Sequence, residues 1–498
     1  LSQVRPLQMT TLSSPEPPPV ELLPETPSPA ALRHLLPELE QGVGARICIV
    51  GGYVRDLLMG RPSETDVDVV VEQGSAEGAA EWLRRRWDRR ARVVAFERFG
   101  TAQIAFLVPG KDRFTVEFVK ARAEAYSPES RKPTVRAGTM AEDALRRDFT
   151  LNALMLDSSG TVLDPTQLGL QDLRLGLLRT PLPPAETFSE DPLRMLRAAR
   201  FAAQLGFQLA PRVEEAMTQM APRLSIVSPE RVRDELVKLL VAPRPASGLR
   251  ILQRTRLLAE ISRELDAMVG VEQGGYHVGD VFEHTCLALD AAQQERVVRL
   301  GVLFHDVGKP ATAQAGPEGP TFLRHPQVGA ALAEEVMRRL RFSGAEIDAV
   351  RQLVLLHMRP IQYRSEWADS AVRRLWHAAG ELTPQLMALA RADTEGSSYP
   401  GLAQLTELEA RLAAVGEAHP QGIRPPVGGE QLKKAFQLPA GPWIGRAQAA
   451  LLEAVLEDQL LPAEDPRAEL AAIEYLESCS EVWQPRPGEP GATPQASA

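Results

Sequence analysis

Two aspartates separated by a single residue lie within an apolar stretch of the sequence. Asp66 and Asp68 alternate with valines in DVDVVV, and alternate side chains of an extended strand project from the same face. Two carboxylates on one face can hold two Mg²⁺ ions, which clamp the attacking and leaving oxygens of a phosphoryl transfer. Glu117, in FTVEFV, is a candidate third carboxylate from a neighbouring strand. The pattern therefore predicts Asp66, Asp68 and Glu117 as the catalytic residues of a metal-dependent phosphoryl-transfer site.

A pair of glycines precedes these acids and indicates where a phosphate would bind. The run ICIV leads into Gly51 and Gly52 and then into YVRDLL, which is typical of a strand-to-helix turn. Glycines let backbone N–H groups approach a phosphate closely, and Arg55 in the first helical turn can grip a triphosphate. Glycine pairs and DxD patterns are each common without such a role. Their order, with the acids inside a valine-rich strand, favours a catalytic site over a solvated surface.

The elements that must hold these residues form an α+β domain. Apolar, β-branched runs at 47–52, 67–71, 91–96, 102–108 and 114–119 predict a sheet of about five strands. A helical pattern, AEGAAEWLRRRWDRR, separates two of them. After residue 185 the strand signal disappears, and amphipathic helices with Ser, Pro or Asp at their starts follow. We expect a mixed sheet with helices, followed by an all-helical remainder.

A second set of potential ligands lies in the helical region. Four of the eight histidines occur there together with two aspartates, and such side chains on successive helices can converge on one or two divalent metals. A single buried histidine is usually satisfied within the core, but a series in this order is harder to explain in that way. The candidate ligands are His284, His305, Asp306, His325, His357 and Asp393.

The order of the motifs resembles a known family. GGYVRD, ETDVDVVV, RFGTA (98–102), EDALRRDFTLNALMLD (142–157) and EDPLRMLRAARFAAQLGF (190–207) are similar to successive motifs of the class II tRNA nucleotidyltransferases and bacterial poly(A) polymerases. The resemblance implies a template-independent enzyme that adds C and/or A from CTP and ATP to the 3′ end of tRNA, with Mg²⁺ at the paired aspartates.

The resemblance also assigns nucleotide contacts to the RRDFT segment. Asp148 would accept a hydrogen bond from the ribose 2′-hydroxyl, which distinguishes ribonucleotides from deoxynucleotides. Arg147 and Asn152 would lie beside the nucleotide. A structural alternative is that Asp148 only begins a helix whose apolar residues enter the core.

The EDPLR segment would select the base. Asp191 and Arg194 are three residues apart at a helix start and share one face. In the family such a pair hydrogen-bonds the Watson–Crick edge: the carboxylate accepts from the exocyclic amine of cytosine or adenine, and the guanidinium donates to ring acceptors. The simpler alternative is an N-cap before Pro192 and a surface arginine. Arg197 and Arg200 continue the helix and would contact nucleotide or RNA phosphates.

The histidine-rich region resembles the HD phosphohydrolase superfamily over about 110 residues. The implied chemistry is a metal-activated water that attacks a phosphoester, and related domains in bacterial tRNA nucleotidyltransferases cleave 2′,3′-cyclic phosphates or remove a terminal phosphate. Such domains also persist as scaffolds. Two ligand sets for divalent metals of open identity are implied: His284, His305, Asp306 and Asp393 for one, and His325 and His357 for a second.

These patterns divide the chain into six segments. Each has its own composition or motif: a Pro-rich, disordered leader (1–30), a nucleotidyltransferase head (31–175), a helical neck for nucleotide selection and RNA binding (176–248), an HD-type helical domain (249–400), a helical tail that binds tRNA (401–483) and a disordered end (484–498).

Composition is compatible with an RNA partner despite an acidic balance. The chain has 498 residues and a net charge of −9, but residues 131–256 contain 19 Lys/Arg against 14 Asp/Glu, which provides a locally basic surface. Three scattered cysteines predict neither a zinc ribbon nor disulfides, and hence a cytoplasmic protein. The absence of an 18-residue apolar run argues against a membrane partner.

Several functions remain compatible with the sequence. Full CCA addition, addition of CC or A alone, and poly(A) tailing differ in the family largely through a mobile segment, here 123–140. The other classes are an HD phosphohydrolase with an inactive head and a non-catalytic RNA-binding protein. Retention of the acids at 66, 68, 148 and 191 argues against an inactive head. It also argues against a non-catalytic RNA-binding protein, because an RNA surface gains nothing from clustered carboxylates. The oligomeric state is not indicated.

Overall fold

The computed structural model describes residues 26–61, 63, 65–96, 100–108, 113–125, 134–274, 279–317, 319–461, 463, 465–486 and 489–490. The expectations for most of the leader, for Arg98 and Phe99, for much of the 123–140 segment and for the last residues lie outside these ranges. The chain forms two compact units, Leu1–Ala198 with Phe207–Met220, and Ala199–Gly206 with Ala221–Ala498. None of the helices in the described ranges has the length and apolarity needed to cross a bilayer.

The first unit mixes helices and strands. Its elements, in chain order and including one helix that continues into the second unit, are α1 (Pro29–Val43), β1 (Arg46–Val50), α2 (Gly52–Leu58), β2 (Asp66–Glu72), α3 (Ala76–Trp87), β3 (Val93–Phe96), β4 (Thr101–Phe106), β5 (Phe114–Lys120), β6 (Arg122–Ala125), β7 (Thr134–Ala137), α4 (Met140–Leu145), β8 (Met155–Asp157), β9 (Val162–Leu163), α5 (Gly169–Leu175), β10 (Leu177–Leu178), α6 (Pro184–Glu190), α7 (Leu193–Leu205), β11 (Gln208–Leu209) and α8 (Pro211–Met220).

A seven-stranded mixed sheet organises this unit, in the order β3–β4–β5–β2–β1–β8–β9. Strands β2 and β5 are parallel, and the other neighbouring pairs are antiparallel. All five predicted strands are present, so the α+β class is confirmed. The expected number of about five strands was too low, because β8 and β9 extend the sheet beyond β1. With three and two residues, they are too short to show an alternating pattern.

The two faces of the sheet explain why Asp66 and Asp68 point the same way. Along β2, the residues at 67, 69 and 71 are buried in the larger core with apolar side chains of α1 and α3. Since successive strand residues alternate between faces, Asp66, Asp68 and Val70 project from the opposite face. Val70 enters the smaller core beside α4, whereas both aspartates remain exposed.

The second unit is mostly helical. Its elements are α9 (Pro229–Leu240), α10 (Pro245–Arg254), α11 (Leu257–Ile261), α12 (Arg263–Asp266), α13 (Val281–Ala291), α14 (Arg296–Phe304), α15 (Lys309–Thr312), β12 (Gln314–Gly316), β13 (Gly319–Thr321), α16 (His325–Arg339), α17 (Gly344–Leu356), α18 (Met358–Ile361), α19 (Asp369–Ala379), α20 (Thr383–Glu395), α21 (Leu402–Ala418), α22 (Gly429–Phe436), α23 (Trp443–Leu456), α24 (Ala468–Ser478) and α25 (Ser480–Trp483).

The expectation of an all-helical remainder needs one correction. Strands β10 and β11 form a short parallel pair, and β12 and β13 form a short antiparallel pair. Each strand has only two or three residues, so none carries a detectable periodicity. Apart from these short strands, helices predominate in this part of the chain, as predicted.

Helix ends place the predicted metal ligands of the second unit. His305 and His357 directly follow the last residues of α14 and α17, and His325 is the first residue of α16. His284 lies within α13 and Asp393 within α20. Helices α13, α14 and α17 all contact α20, which brings ligands that are distant in sequence onto neighbouring elements.

Candidate active sites

Three carboxylates share one face of the head sheet. Asp68 on β2 is directly opposite Glu117 on the parallel strand β5, and Asp66 is opposite Thr115. The neighbours of Glu117 on β5, Val116 and Phe118, are buried in the larger core, so Glu117 projects to the same side as Asp68. The structure thus brings together the three residues that the sequence pattern proposed as catalytic.

The electrostatics of these acids suit a cation. Desolvation raises the pKa of Asp68 above its usual range, and the charge of Asp66 adds to this rise, while Arg147 and Arg197 oppose it. Burial and the charge of Asp68 likewise raise the pKa of Glu117. Adjacent carboxylates that disfavour one another's ionisation are stabilised by a hard cation, and oxygen ligands of this kind fit Mg²⁺.

Gly51 adopts a backbone conformation beside Asp68 that only glycine tolerates well. Its φ is 78° and its ψ is −142°. A β-carbon at this position would lie 3.3 Å from Oδ2 of Asp68 and 3.3 Å from Nη1 of Arg147. Gly52, the first residue of α2, would bring a β-carbon to 3.4 Å from Nη2 of Arg55. The glycine pair therefore keeps open the space between a carboxylate and a guanidinium.

A chain of buried polar contacts supports this site. Arg55 is 3% exposed, and its Nε and Nη2 donate to Asp56 at 2.8 Å while Nη1 donates to Oδ1 of Asn152 at 2.8 Å. Asn152 donates from Nδ2 to Oδ1 of Asp148 at 3.0 Å, and Nε of Arg197 donates to Oδ2 of Asp148 at 2.8 Å. We call Asp56, Arg55, Asn152, Asp148 and Arg197 the polar chain.

The polar chain contains residues that were predicted to contact the nucleotide. The guanidinium of Arg55 bonds Asp56 and Asn152, and the triphosphate contact expected of it stays a prediction. Asp148 is also heavily engaged, because Oδ1 accepts from the Phe149 amide and from Asn152. Although burial opposes ionisation, Arg197 and these hydrogen bonds lower the pKa of Asp148. A ribose hydroxyl that bonds Asp148 must therefore share or replace one of these donors.

Arg147 remains close to the glycine turn. Its Nε and Nη2 lie 3.3 Å and 3.2 Å from Oδ2 of Asp143, and Nη1 donates to the carbonyl of Asn152 at 3.4 Å. Asp143 is fully buried and also accepts from Arg146. The buried carboxylate thus fixes the arginine whose Nη1 faces Gly51.

Local contacts hold Asp191 and Arg194, the pair predicted to select the base. Oδ1 of Asp191 accepts from the Leu193 amide at 3.1 Å, as the N-cap alternative predicted. Arg194 donates from Nη1 to Glu190 at 2.9 Å and from Nη2 to the carbonyl of Arg146 at 2.8 Å. Arg194 is therefore an anchored residue of the head and not a loose surface arginine.

Arg200 has a partner within the second unit. Its Nε donates to Oε2 of the buried Glu235 at 2.6 Å, and its Nη1 donates to Gln204 at 3.0 Å. The guanidinium carbon also lies 4.0 Å from the centroid of the Phe201 ring. These contacts commit part of the guanidinium of Arg200 to helix packing, and the phosphate contact expected of it remains a prediction.

The six predicted metal ligands converge in the second unit and are all buried. Each ligand set contains three atoms within 4.8 Å of one another. The Nε2 atoms of His284 and His305 are 3.3 Å apart, and those of His325 and His357 are 3.2 Å apart. We call the six residues the HD cluster: His284, His305 and Asp393 form one set, and Asp306, His325 and His357 form the other.

Backbone carbonyls orient the imidazoles of the HD cluster. Nδ1 of His305, His325 and His357 lies 2.7–2.8 Å from the carbonyl three residues earlier, and Nδ1 of His284 lies 3.3 Å from the carbonyl of Gly396. A carbonyl only accepts, so Nδ1 carries the proton and Nε2 presents a lone pair. Two Nε2 atoms that are 3.2–3.3 Å apart, each with a lone pair, could bind the same divalent metal.

Asp306 connects the two sets. Its Oδ2 lies 3.2 Å from Nε2 of His305, and its Oδ1 lies 3.5 Å from Nε2 of His325. The sequence grouped Asp306 with His284, His305 and Asp393, but the structure gives each set one of its oxygens. Asp306 would therefore be available to a metal held by either set. Lys309 approaches Oδ2 of Asp306 at 2.7 Å.

The charges in the HD cluster are strongly coupled. Burial opposes the protonation of His305, but Asp306 and Asp393 raise its pKa to about 9. Burial and the neighbouring His305 lower the pKa of His357 to about 4. Both aspartates have lowered pKa values despite burial. A divalent metal requires neutral imidazoles and ionised carboxylates, so metal binding would displace the proton that the two aspartates favour on His305.

Comparison with known proteins identifies the family. The sequence matches the poly A polymerase head domain over residues 47–179, the probable RNA and SrmB-binding site of polymerase A over 206–269 and the HD domain over 255–395. The A-adding tRNA nucleotidyltransferase of Deinococcus radiodurans is 36% identical over 333 residues, which cover 63% of this chain and 75% of the relative. The CC-adding tRNA nucleotidyltransferase of Thermus thermophilus is 35% identical over 436 residues, which cover 84% and 92%.

The chain belongs to the tRNA nucleotidyltransferase family. Its fold agrees, since the CCA-adding enzyme of Bacillus stearothermophilus, solved in complex with CTP, matches with a TM-score of 0.63 at 24% identity, over 90% of this chain and 98% of that one. The family resemblance stated from the motifs is confirmed.

Three acidic residues that orient the arginines of this site were not among those predicted from the sequence. Asp56 and Asp143 hold Arg55 and Arg147, and Glu190 holds Arg194. Their spacing was available as a signal, because Asp143 precedes Arg147 by four residues and Glu190 precedes Arg194 by four, the separation of neighbours on one helix face. The contact of Arg55 with Asn152 spans 97 positions, and no local pattern encodes it.

Proposed function

We propose that this protein is a template-independent nucleotidyltransferase that adds C and/or A from CTP and ATP to the 3′ end of tRNA. The observation that carries the proposal is the shared face of Asp66, Asp68 and Glu117 beside the glycine turn, in a chain of the tRNA nucleotidyltransferase family. Three acids beside two arginines suit a reaction in which a triphosphate and a metal must meet.

In the proposed reaction the 3′-hydroxyl of tRNA gives its proton to solvent, and its oxygen attacks the α-phosphate of CTP or ATP. A new phosphodiester bond forms, the bond between the α- and β-phosphates breaks, and pyrophosphate leaves. Asp66 and Asp68 would hold Mg²⁺, which supplies Lewis-acid stabilisation of the reacting oxygens. Glu117 reinforces the negative field around Asp68. Arg147 and Arg197 neutralise phosphate charge, while Gly51 leaves room for it.

Asp191 and Arg194 are the proposed readers of the base. A carboxylate accepts from the amine of cytosine or adenine and rejects the carbonyl oxygen of uracil or guanine at the same place. Glu190 and the carbonyl of Arg146 fix the guanidinium of Arg194, which preorganises its remaining N–H groups for ring acceptors. The polar chain supports the same site by fixing Arg197.

A second activity is proposed for the HD cluster. A cluster that holds one or two divalent metals supplies a water nucleophile of lowered pKa. Water oxygen would join the phosphorus of a 2′,3′-cyclic phosphate as one P–O ester bond breaks, and the freed ribose oxygen would take a proton. The observation that favours this function is the convergence of six buried ligands, with one oxygen of Asp306 facing each set.

An experiment must decide which nucleotides are added, and how many, because an A-adding relative and a CC-adding relative are identical to this chain to nearly the same extent. Transcripts ending at the discriminator base and transcripts ending in CC are incubated with CTP, with ATP and with both. Growth by two nucleotides with CTP alone indicates CC addition, extension of only the CC-ended transcript by ATP indicates A addition, and a three-nucleotide product indicates CCA addition. A long ATP ladder indicates poly(A) tailing.

Two outcomes would reject parts of this proposal. The absence of extension under every condition would leave the HD cluster as the working site. Loss of tRNA extension in His305→Ala would contradict the assignment of the two reactions to separate sites, because the proposal requires that variant to lose only the hydrolysis of 2′,3′-cyclic phosphate.

A further inference from the structure

A cavity of about 750 Å³ opens beside the HD cluster. Asp306, His325 and Asp393 line one part of it, and Arg364 and Tyr399 line another. A terminal phosphate fills only a small part of such a space, since pockets for whole small molecules measure about 300–1,000 Å³. The cavity therefore has room for at least a nucleotide beyond the group that meets the metals.

Arg364 supplies a cation to the cavity that the HD cluster does not use. Its guanidinium is exposed, and Nη1 donates to the carbonyl of Tyr363 at 2.7 Å and to the hydroxyl of Tyr399 at 3.4 Å. Among the residues that the structure describes, no carboxylate forms an ion pair with Arg364. Lys309 is the other cationic residue that lines the cavity, and its Nζ forms an ion pair with Oδ2 of Asp306 at 2.7 Å. Arg364 thus retains donors for an anionic ligand.

The position of Tyr399 depends on a glycine two residues later. A β-carbon at Gly401 would lie 2.3 Å from Cε1 of the Tyr399 ring, a separation that requires the ring to move. The absence of a side chain at Gly401 lets the ring pack where its hydroxyl reaches Arg364. The hydroxyl of Tyr399 thus lies within hydrogen-bond reach of Arg364 on the wall of the cavity.

We propose that Arg364, oriented by Tyr399, binds the internucleotide phosphate that precedes the terminal phosphoester of an RNA 3′ end. The inference rests on the proposed phosphohydrolase function of the HD cluster and specifies its substrate as an oligonucleotide end in preference to a free mononucleotide. A mononucleotide has no second phosphate for Arg364, whereas a dinucleotide has one.

The test compares cytidylyl-cytidine 2′,3′-cyclic phosphate with cytidine 2′,3′-cyclic phosphate as substrates of the full chain. Wild type should show a lower KM for the dinucleotide. Arg364→Ala should raise that KM by about 10–100-fold with little change in kcat and leave the mononucleotide unaffected, because it removes a charge-assisted contact. Arg364→Lys should restore part of the difference. The matched control is Arg359→Ala, an exposed arginine of α18 outside the cavity lining.

A binding measurement separates this inference from the proposed function. In EDTA and in an Asp66→Ala/Asp68→Ala background, calorimetry should show tighter binding of cytidylyl-cytidine 3′-phosphate than of cytidine 3′-phosphate, and Arg364→Ala should abolish the difference. Equal binding of the two probes, no binding of the dinucleotide, or equal loss of both in Arg364→Ala overturns the inference. If neither cyclic phosphate is hydrolysed, the proposed phosphohydrolase function is rejected. The calorimetric comparison then still decides whether Arg364 binds the internucleotide phosphate.

Discussion

Gly51 and Asp68 are so close that a β-carbon on the glycine would lie 3.3 Å from the carboxylate oxygen. The same atom would lie 3.3 Å from Nη1 of Arg147. The glycine turn and strand β2 therefore border one space, which lies between a carboxylate and a guanidinium and stays open because residue 51 has no side chain. Any group that enters this space competes with the proposed substrate.

Gly51→Ala should reduce tRNA extension by at least about 100-fold. The substitution forces an L-residue into φ 78°, ψ −142°, which costs about 1–3 kcal/mol, and it places a methyl group against Asp68. The matched control is Gly60→Ala, because Gly60 also has a positive φ of 74° but has nothing within 4 Å of its β-position. Gly60→Ala should lower the melting temperature and retain extension per folded molecule; equal activity losses in both variants would refute a local role for Gly51.

Asn152→Ala should disconnect the polar chain. The side chain accepts from Arg55 and donates to Asp148, so its removal takes one hydrogen bond from each of these two buried charged groups, at about 1–3 kcal/mol per bond. Because Asp148 then fixes Arg197 less well, the KM for CTP or ATP should rise by about tenfold or more. Steady-state kinetics and urea unfolding measure the two effects.

The control for Asn152 is Thr150→Val, because both residues belong to the short 3-10 helix Thr150–Asn152. Thr150 is fully buried and donates to Oδ2 of Asp172 at 2.7 Å, outside the polar chain. This variant should lose stability without a change in nucleotide KM. An unchanged KM in Asn152→Ala would show that the chain contributes only to folding.

Asp306→Ala should remove more bound metal than a change in either ligand set alone. Its two oxygens face His305 and His325, so its loss weakens both sets, whereas His325→Ala affects one. Manganese binding, followed by electron paramagnetic resonance in a protein with Asp66→Ala and Asp68→Ala, should fall from two ions per chain to one in His325→Ala and to none in Asp306→Ala. Retention of one tight ion in Asp306→Ala would contradict the bridging arrangement.

Arg299→Met should destabilise the second unit by more than about 3 kcal/mol, because it leaves several buried carbonyls without donors. Arg299 is 2% exposed and donates to the carbonyls of Leu240, Ala292 and Gln293 at 2.7–2.9 Å. Burial lowers the pKa of this guanidinium, although Asp290 opposes the shift. Arg351→Met, which removes only a half-exposed ion pair with Glu334, should cost less than about 1 kcal/mol. Similar unfolding free energies for the two variants would show that the hydrogen bonds from Arg299 to these carbonyls do not stabilise the second unit.

The sequence allowed side-chain directions to be predicted where a local periodic pattern determines them. The alternation of acids with valines places Asp66 and Asp68 on one face, and the five long strands carried enough apolar residues to be found. Contacts between distant positions escaped this reasoning. Arg55 contacts Asn152 because the tertiary fold brings those two residues together. The division of Asp306 between two ligand sets depends on how five helices converge.

The length of an element also limits what the sequence reveals. Strands β8 and β9 extend the sheet with only three and two residues, too few for an alternating pattern to stand out. Their pairing with β1 and with each other supplies the evidence that the residues alone lack. The histidines of the HD cluster could be predicted without any periodic pattern, because the residue type itself is the signal.

The most direct test of the account is single-turnover extension of a tRNA transcript by Asp66→Ala and Asp68→Ala, with saturating CTP, ATP and Mg²⁺. The control is Glu77→Ala, which removes an exposed acid from the first turn of α3. Both aspartate variants should be folded, should hydrolyse 2′,3′-cyclic phosphate at the wild-type rate and should add no nucleotide, while Glu77→Ala extends normally. Extension by either aspartate variant within tenfold of the wild-type rate would contradict the assignment of nucleotidyl transfer to this pair.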